Sequence, residues 1–185
     1  MSAEHLRLPR QYRFEGETKK AHTLGDITMR SEWIIVDGYN LIHQQDNGKE
    51  LLRRDLFLAR QRLIRDLEIT IPSLATRITV VFDGTGEHGG FDKFKTSPVE
   101  VIFSAQGNTA DTVIERMAGE HTRPQDILVV TSDHLETNAV LGSGANTISC
   151  SSFLARLNAS KTTLSESKYI SKSERKLGRL GDKFP

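Results

Sequence analysis

Three short, mostly apolar runs in the middle of the chain each end abruptly at an aspartate. They are residues 33–36 before Asp37, residues 78–82 before Asp83, and residues 127–132 before Asp133. Runs of this length that are rich in Ile and Val are typical of strands buried on both faces. A carboxylate is costly to place at the end of a buried strand without a partner. The three runs therefore predict strands that deliver acidic side chains to a common site.

The segments between these strands carry helical periodicity. Apolar residues at three- and four-residue steps predict a helix over residues 49–69, after a loop over 43–48, and Pro72 lies where this helix should stop. Thr109 has the position of an N-cap for a second helix. The other predicted elements are strands at 99–103, 126–131 and 147–150, a short helix at 135–141, and a last helix that is capped by Ser151 or Ser152 and ends at Leu157.

Strands that alternate with helices imply crossover connections and a parallel sheet with helices on both faces. We therefore expect one α/β domain over residues 32–157, with a polar extension at 1–31 and a basic C-terminal tail at 158–185. In such sheets, ligands bind beyond the carboxyl ends of the strands, where the three aspartates should lie.

Charge is distributed unevenly along the chain. Residues 1–31 carry a net charge of +2 and residues 158–185 carry +4, whereas the whole chain carries +1, so residues 32–157 carry −5. An acidic body suits cations and basic ends suit a polyanion, although tails that only maintain solubility are the alternative. The single cysteine, Cys150, favours a reducing, cytoplasmic compartment. Neither a membrane span nor a secretory signal is predicted.

A fourth acidic group lies in the helix that Thr109 opens. Asp111 occupies its first turn, and Glu115 follows four residues later on the same face. The helix dipole alone favours an acid there, but this helix should begin at the edge where the strand-end aspartates lie. Two carboxylates 5 Å apart repel by roughly 3 kcal/mol at an effective dielectric of about 20, so a converging set needs protons or cations. Oxygen ligands without His or Cys favour Mg²⁺ or Mn²⁺ over Zn²⁺.

Four motifs follow one another along the predicted domain. They are Asp37-Gly38-Tyr39-Asn40, Val81-Phe82-Asp83-Gly84, Thr109-Ala110-Asp111 with Glu115, and Val130-Thr131-Ser132-Asp133. Each is weak alone, but the ordered set, within residues 33–157, resembles the NYN domain family, specifically its YacP-like branch, which is related to PIN-domain nucleases. The resemblance implies a PIN-like, three-layer α/β/α sandwich with a central, mostly parallel sheet. It also implies a metal-dependent endoribonuclease of RNA decay or processing, tied to the ribosome in some family members.

The resemblance assigns roles to individual residues. Four aspartates match the family's acidic positions and would be the catalytic and metal-binding residues: Asp37, Asp83, Asp111 and Asp133. Glu115 would be an accessory metal ligand. Asn40 matches the family's asparagine and would fix the first loop or contact a phosphate.

Several other polar residues near the predicted site have two interpretations. Lys93 and Lys95, in a glycine-rich loop, could contact phosphates or be solvated, and Ser132 could bind a phosphate or cap a turn. We expect Tyr39 to pack at its turn rather than stack on a base, and His88 to be solvated.

Two basic stretches lie outside the acidic set. We expect the arginine-rich face of the helix over 49–69 to be solvated rather than to bind RNA. The tail from Lys168 to Lys183 either grips RNA backbone, including that of ribosomal RNA, or is a disordered, solubilising segment.

Two other functions compete with RNA hydrolysis. A non-catalytic RNA- or ribosome-binding module would use the basic tail, but it has no reason to keep repelling carboxylates. A phosphatase of another α/β fold often has Asp-x-Asp after its first strand, where this chain has Asp37-Gly38-Tyr39. RNA cleavage with Mg²⁺ or Mn²⁺ that EDTA abolishes would separate the nuclease from the RNA-binding module, and inertness toward a generic phosphate ester would count against the phosphatase.

Overall fold

Five parallel strands form the centre of the molecule. The computed structural model describes residues 31–84, 97–104 and 107–181, with side chains as far as residue 165. The strands lie in the order β3-β2-β1-β4-β5 and all neighbours are parallel, as predicted. They are β1 (Ser31–Asp37), β2 (Ala75–Phe82), β3 (Glu100–Phe103), β4 (Ile127–Val130) and β5 (Asn146–Ile148).

Helices cover both faces of this sheet and complete the predicted three-layer α/β/α sandwich. They are α1 (Gly38–Gln44), α2 (Gly48–Arg54), α3 (Leu56–Leu74), α4 (Ala110–Gly119), α5 (His134–Gly142) and α6 (Cys150–Gly181). Residues that alternate along β1 enter opposite cores, because successive side chains of a strand point to opposite faces. Ile34 and Val36 pack with α1, α3 and α6, whereas Trp33 and Ile35 pack with α4 and α5.

The order of the strands in the sheet places a topological switch point between β1 and β4. The connection from β1 to β2 runs over the face that α3 covers, and the connection from β3 to β4 runs over the opposite face through α4. The carboxyl ends of β1 and β4 are therefore the position at which open α/β sheets bind ligands.

The helix predicted over residues 49–69 differs from the structure in two respects. It is divided into α2 and α3 by Asp55, whose extended backbone ends one helix while its side chain accepts a hydrogen bond from the Leu58 N–H at 2.9 Å. Pro72 does not stop α3, which continues to Leu74. Burial of Leu74 favours this last turn, and the Ser73 hydroxyl donates to the Thr70 carbonyl at 2.8 Å.

Two further expectations about helices were wrong. The segment after Asp37 was expected to be a turn and then a loop, but it forms α1 directly because Asp37 caps it. The last helix was expected to end at Leu157, but α6 continues to Gly181, and Ser149 rather than Ser151 or Ser152 accepts the capping hydrogen bond, from the Ser152 N–H at 3.2 Å. Among the described residues, no helix has both the length and the apolar character needed to cross a bilayer.

Candidate metal centre

Asp37 ends the central strand and begins α1. Its side chain accepts a hydrogen bond from the backbone N–H of Asn40 at 3.1 Å and so caps the helix. The residue is only 8% exposed. Burial raises the pKa of the Asp37 carboxyl to about 6, the charges of Asp111 and Asp83 act in the same direction, and the Asn40 N–H opposes them. Asp37 is therefore an acid whose ionised form needs a positive partner.

Asp83 connects the end of β2 to the start of α4. Its Oδ1 accepts from the Ala110 N–H at 2.7 Å, and the predicted cap Thr109 accepts from Thr112 N–H at 3.2 Å. The first turn of α4 is thus fixed at the carboxyl edge, and Asp111 stands in it. Burial raises the pKa of Asp111, and the charges of Asp133 and Asp83 add to this effect.

Asp133 fixes the start of α5 by accepting backbone hydrogen bonds, as Asp83 fixes the start of α4. Its Oδ1 accepts from the backbone N–H groups of Leu135, at 2.7 Å, and Glu136, at 3.2 Å. This cap fixes the first turn of α5 and carries Glu136 into the interior, where it is 1% exposed. Asp133 itself remains exposed.

Glu136 is the most unusual carboxyl group of the site. Both of its oxygens are buried, and neither has a hydrogen-bond partner among the residues that the structure describes. Burial raises the pKa of Glu136 to about 8; the nearby Thr131 hydroxyl opposes this rise, and the charges of Asp37, Asp111 and Asp133 add to it. An orphaned buried carboxyl costs folding free energy, which a ligand that it contacts would recover.

The carboxylates of three elements converge at this point. One oxygen each of Asp37, Asp111 and Glu136 lies within 4.8 Å of the other two. Three hard oxygen ligands from β1, α4 and α5 fit a divalent cation of the Mg²⁺ or Mn²⁺ type, which keeps water or substrate oxygens in its remaining positions. The unpartnered oxygens of Glu136 are the feature of this cluster that a cation explains best.

The predicted acids are distributed around this cluster. The structure brings Asp37 and Asp111 together at its centre, whereas Asp83 and Asp133 are exposed, act on it through their charge, and position its helices. Glu115 is exposed and is not among the three converging residues, so its metal-binding role stays a prediction. The predicted substrate contacts Lys93 and Lys95, and also His88, lie outside the described residues.

Asn40 and Ser132 both hold the start of α6 against the site. The Cys150 N–H donates to the Ser132 hydroxyl at 3.1 Å, and the Cys150 thiol donates to Asn40 Oδ1 at 3.4 Å. Burial raises the pKa of the Cys150 thiol to about 11, so it stays protonated and able to donate. Asn40 thus joins α1 to the start of α6. Its predicted role in fixing the first loop, and a phosphate contact by either residue, stay predictions.

Tyr39 packs at its turn, as expected. Its ring contacts Phe82 with centroids 5.1 Å apart, and its hydroxyl accepts from the Arg60 guanidinium. The arginine face of the helix predicted over residues 49–69 was expected to be solvated. This expectation is wrong for Arg60 of α3, which is half-buried against aromatic rings.

Sequence reasoning missed Glu136. The signal was present, because Asp133 and Glu136 have the spacing of an N-cap and an N3 acid at the start of a helix. Glu136 lies in the first turn of its helix, as Asp111 does, and this position would have placed it at the sheet edge as well.

Comparison with known proteins shows which family of sequences the chain resembles. Residues 34–184 match the model of the YacP-like NYN domain, so the match includes the C-terminal segment that the motifs left out. A Bacillus subtilis (strain 168) protein, uncharacterized protein YacP, is 35% identical over 113 residues, which cover 60% of this chain and 66% of that protein, just under two thirds of its length.

Solved structures give the same result. The crystal structure of Rae1 (YacP) from Bacillus subtilis matches with a TM-score of 0.66 at 30% identity, over 81% of this chain and 87% of that one. A single-substitution variant of the same protein matches with a TM-score of 0.65 at 29% identity, over 80% of this chain and 89% of that one.

Proposed function

The chain belongs to the YacP-like NYN domain family, and on that premise we propose that it is an endoribonuclease that hydrolyses RNA phosphodiester bonds with a divalent metal ion, Mg²⁺ or Mn²⁺. The observation that carries the metal requirement is the convergence of Asp37, Asp111 and Glu136 within 4.8 Å, with both oxygens of Glu136 unpartnered among the described residues. The resemblance extends the proposal to RNA decay or processing at the ribosome, which cosedimentation with ribosomes tests.

The three converging carboxylates would hold the ion. When bound, it would supply positive charge for the phosphate oxygens and lower the pKa of an attacking water. Asp37 is well suited to this arrangement because its N-cap hydrogen bond fixes one oxygen toward α1. The cation would also relieve the cost of ionising three neighbouring acids, two of which, Asp37 and Glu136, are buried.

Asp83 and Asp133 would act at the rim. Each uses Oδ1 to accept backbone hydrogen bonds, which leaves Oδ2 of an exposed, firmly oriented carboxylate available to a water. We assign them the orientation of the attacking water, since a carboxylate within hydrogen-bond reach of a water can align it or accept its proton.

RNA cleavage by purified protein tests the proposal. A labelled single-stranded RNA should be cut in Mn²⁺ or Mg²⁺ and not in EDTA, and Asp37→Asn should lower the rate at least about 100-fold because the ion loses a charged ligand. Glu120→Gln provides a matched control, because it removes an exposed acid at the far end of α4, outside the cluster. RNA binding without metal-dependent cleavage would instead support a non-catalytic RNA-binding module, and undiminished cleavage by Asp37→Asn would refute the assigned site.

A further inference from the structure

A cation fixed against aromatic rings lies near the acidic centre. The Arg60 guanidinium carbon is 4.9 Å from the ring centroid of Phe103, 5.4 Å from that of Tyr39 and 5.6 Å from that of Phe82. Its Nε donates to the Tyr39 hydroxyl at 2.9 Å, and its Nη2 donates to the same oxygen. Three rings and a hydroxyl therefore hold one half-buried guanidinium in a defined orientation.

The three rings belong to the segments that carry the site. Tyr39 follows Asp37 by two residues, and Phe82 directly precedes Asp83. Phe103 directly precedes Ser104, whose hydroxyl lies 3.5 Å from Asp83 Oδ1. Arg60 is therefore positioned at the carboxyl edge of the sheet, on the α3 side of the acids.

The positive charge of Arg60 is not balanced by a carboxylate among the described residues. Within the described part of the chain, no carboxylate forms an ion pair with it, and its Nη1 group has no hydrogen-bond acceptor. A guanidinium offers five N–H donors in a rigid plane that matches phosphate oxygens. An acidic centre repels the RNA backbone on either side of the bond to be cut, so a cation at its margin is what the substrate needs.

We infer that Arg60 binds an RNA phosphate that flanks the scissile one, with Tyr39 and Phe103 as its positioning residues. This inference rests on the proposed function, because it takes RNA as the substrate. The stacked guanidinium is ordered before RNA arrives, so little side-chain entropy is lost when its free N–H groups meet phosphate oxygens. Lysine cannot replace it, since an ammonium has neither the planar fork nor the ring stacking.

The salt dependence of RNA binding separates a phosphate contact from a purely structural role. Binding of a fluorescein-labelled single-stranded RNA is measured by anisotropy in EDTA, in the Asp37→Asn background so that no cleavage occurs, between 50 and 200 mM KCl (roughly the range over which such contacts are resolved). The variants are Arg60→Gln, Arg60→Lys and the control Arg65→Gln, which removes an exposed arginine of the same helix.

Arg60→Gln should weaken binding about 5- to 10-fold near 100 mM salt and reduce the slope of log affinity against log salt by about 0.7, the value for one lost contact to a single strand. Arg60→Lys should weaken binding while it keeps most of the slope. Melting curves identify a variant that fails to fold, and Arg60→Lys then carries the test.

Four results would overturn the inference. An unchanged slope in Arg60→Gln would show that this side chain only packs, and an equal loss in Arg65→Gln would show a diffuse charge effect. If the unsubstituted protein neither binds nor cleaves RNA, the proposed function fails as well. If it cleaves RNA in metal while Arg60→Gln binds normally, only the role of Arg60 fails.

Discussion

Replacement of Glu136 by Gln should stabilise the metal-free protein at alkaline pH. The wild-type carboxyl is 1% exposed, lacks a hydrogen-bond partner among the described residues, and stands beside Asp37 and Asp111. Gln keeps the shape of the side chain and removes the charge. Because the neutral carboxyl and the amide face the same buried surroundings, the two proteins should differ only at pH values where Glu136 ionises in the unfolded or the folded state.

The size of the effect follows from linkage. The pKa of Glu136 rises from an ordinary 4.5 to about 8 in the folded protein. The folded state therefore holds the proton more tightly than the unfolded state, so the stability is full below pH 4.5 and is lost as pH rises through about 8. At 1.36 kcal/mol per pKa unit, Glu136→Gln should raise the free energy of unfolding by roughly 3–5 kcal/mol near pH 8.5 and by less than about 1 kcal/mol near pH 5.

Urea unfolding in EDTA between pH 5 and 9 measures this difference. Trp33 is the single tryptophan and is 3% exposed, so its fluorescence reports the unfolding of the sheet. Glu120→Gln is the control, because it removes an exposed glutamate at the far end of α4 and should leave the pH profile of the wild type unchanged.

Divalent metal provides the second half of this test. Saturating Mn²⁺ should stabilise the wild type at pH 8.5 by binding the native state, and it should stabilise Glu136→Gln much less. Parallel pH profiles of wild type and Glu136→Gln in EDTA would refute the reasoning, because they would show that Glu136 ionises without cost.

The remaining predictions concern the residues that shape the edge of the sheet. Asp133→Ala should lower the free energy of unfolding by about 1 kcal/mol, because α5 loses its N-cap. Titration calorimetry should also show weaker Mn²⁺ binding, because the first turn of α5 is no longer held in place. Unchanged Mn²⁺ affinity would contradict this prediction. Gly38→Ala should cost about 1–3 kcal/mol in urea unfolding, since a Cβ there would lie 2.3 Å from the Phe82 ring, and an unchanged midpoint would refute the clash. Ser104→Ala should cost about 1–2 kcal/mol and slow RNA cleavage, because its hydroxyl accepts the Gly84 N–H at 2.8 Å and lies beside Asp83; a fully active, equally stable variant would count against it.

The sheet was predictable because the composition of its strands shows that they are buried. β1, β2 and β4 are covered on both faces, and only near-continuous apolar runs satisfy that environment. The aspartates that end these runs were noticeable for the same reason, since each interrupts an apolar run at the carboxyl edge of the parallel sheet.

The helices were less predictable because tertiary contacts decided their ends. Pro72 is a stop signal in the sequence, but burial of Leu74 and the direct entry into β2 outweigh it. The polar composition after Leu157 suggested an irregular tail, whereas α6 continues through it, with Lys161 paired to Asp66 of α3 at 2.8 Å. Such a pair joins residues far apart in sequence, which local pattern does not reveal.

The centre of the site was only partly predictable. Strand-end position identified Asp37, and first-turn position, which identified Asp111, would have placed Glu136 at the same edge, but nothing in the pattern shows that Glu136 is buried. Its burial depends on how Asp133 and the sheet orient α5, which is a property of the assembled fold.

Asp37 and Asp133 each combine a helix cap with a proposed role in catalysis, and a single mutation can separate the two. Both accept backbone hydrogen bonds at helix starts, a task that asparagine performs equally well. One nucleotide change converts an aspartate codon into an asparagine codon. A descendant that loses catalysis by this route would keep both helix caps, its native fold and its guanidinium at the edge of the sheet. Under the proposed function, inactive copies of this protein should therefore remain folded and compete for the same RNA.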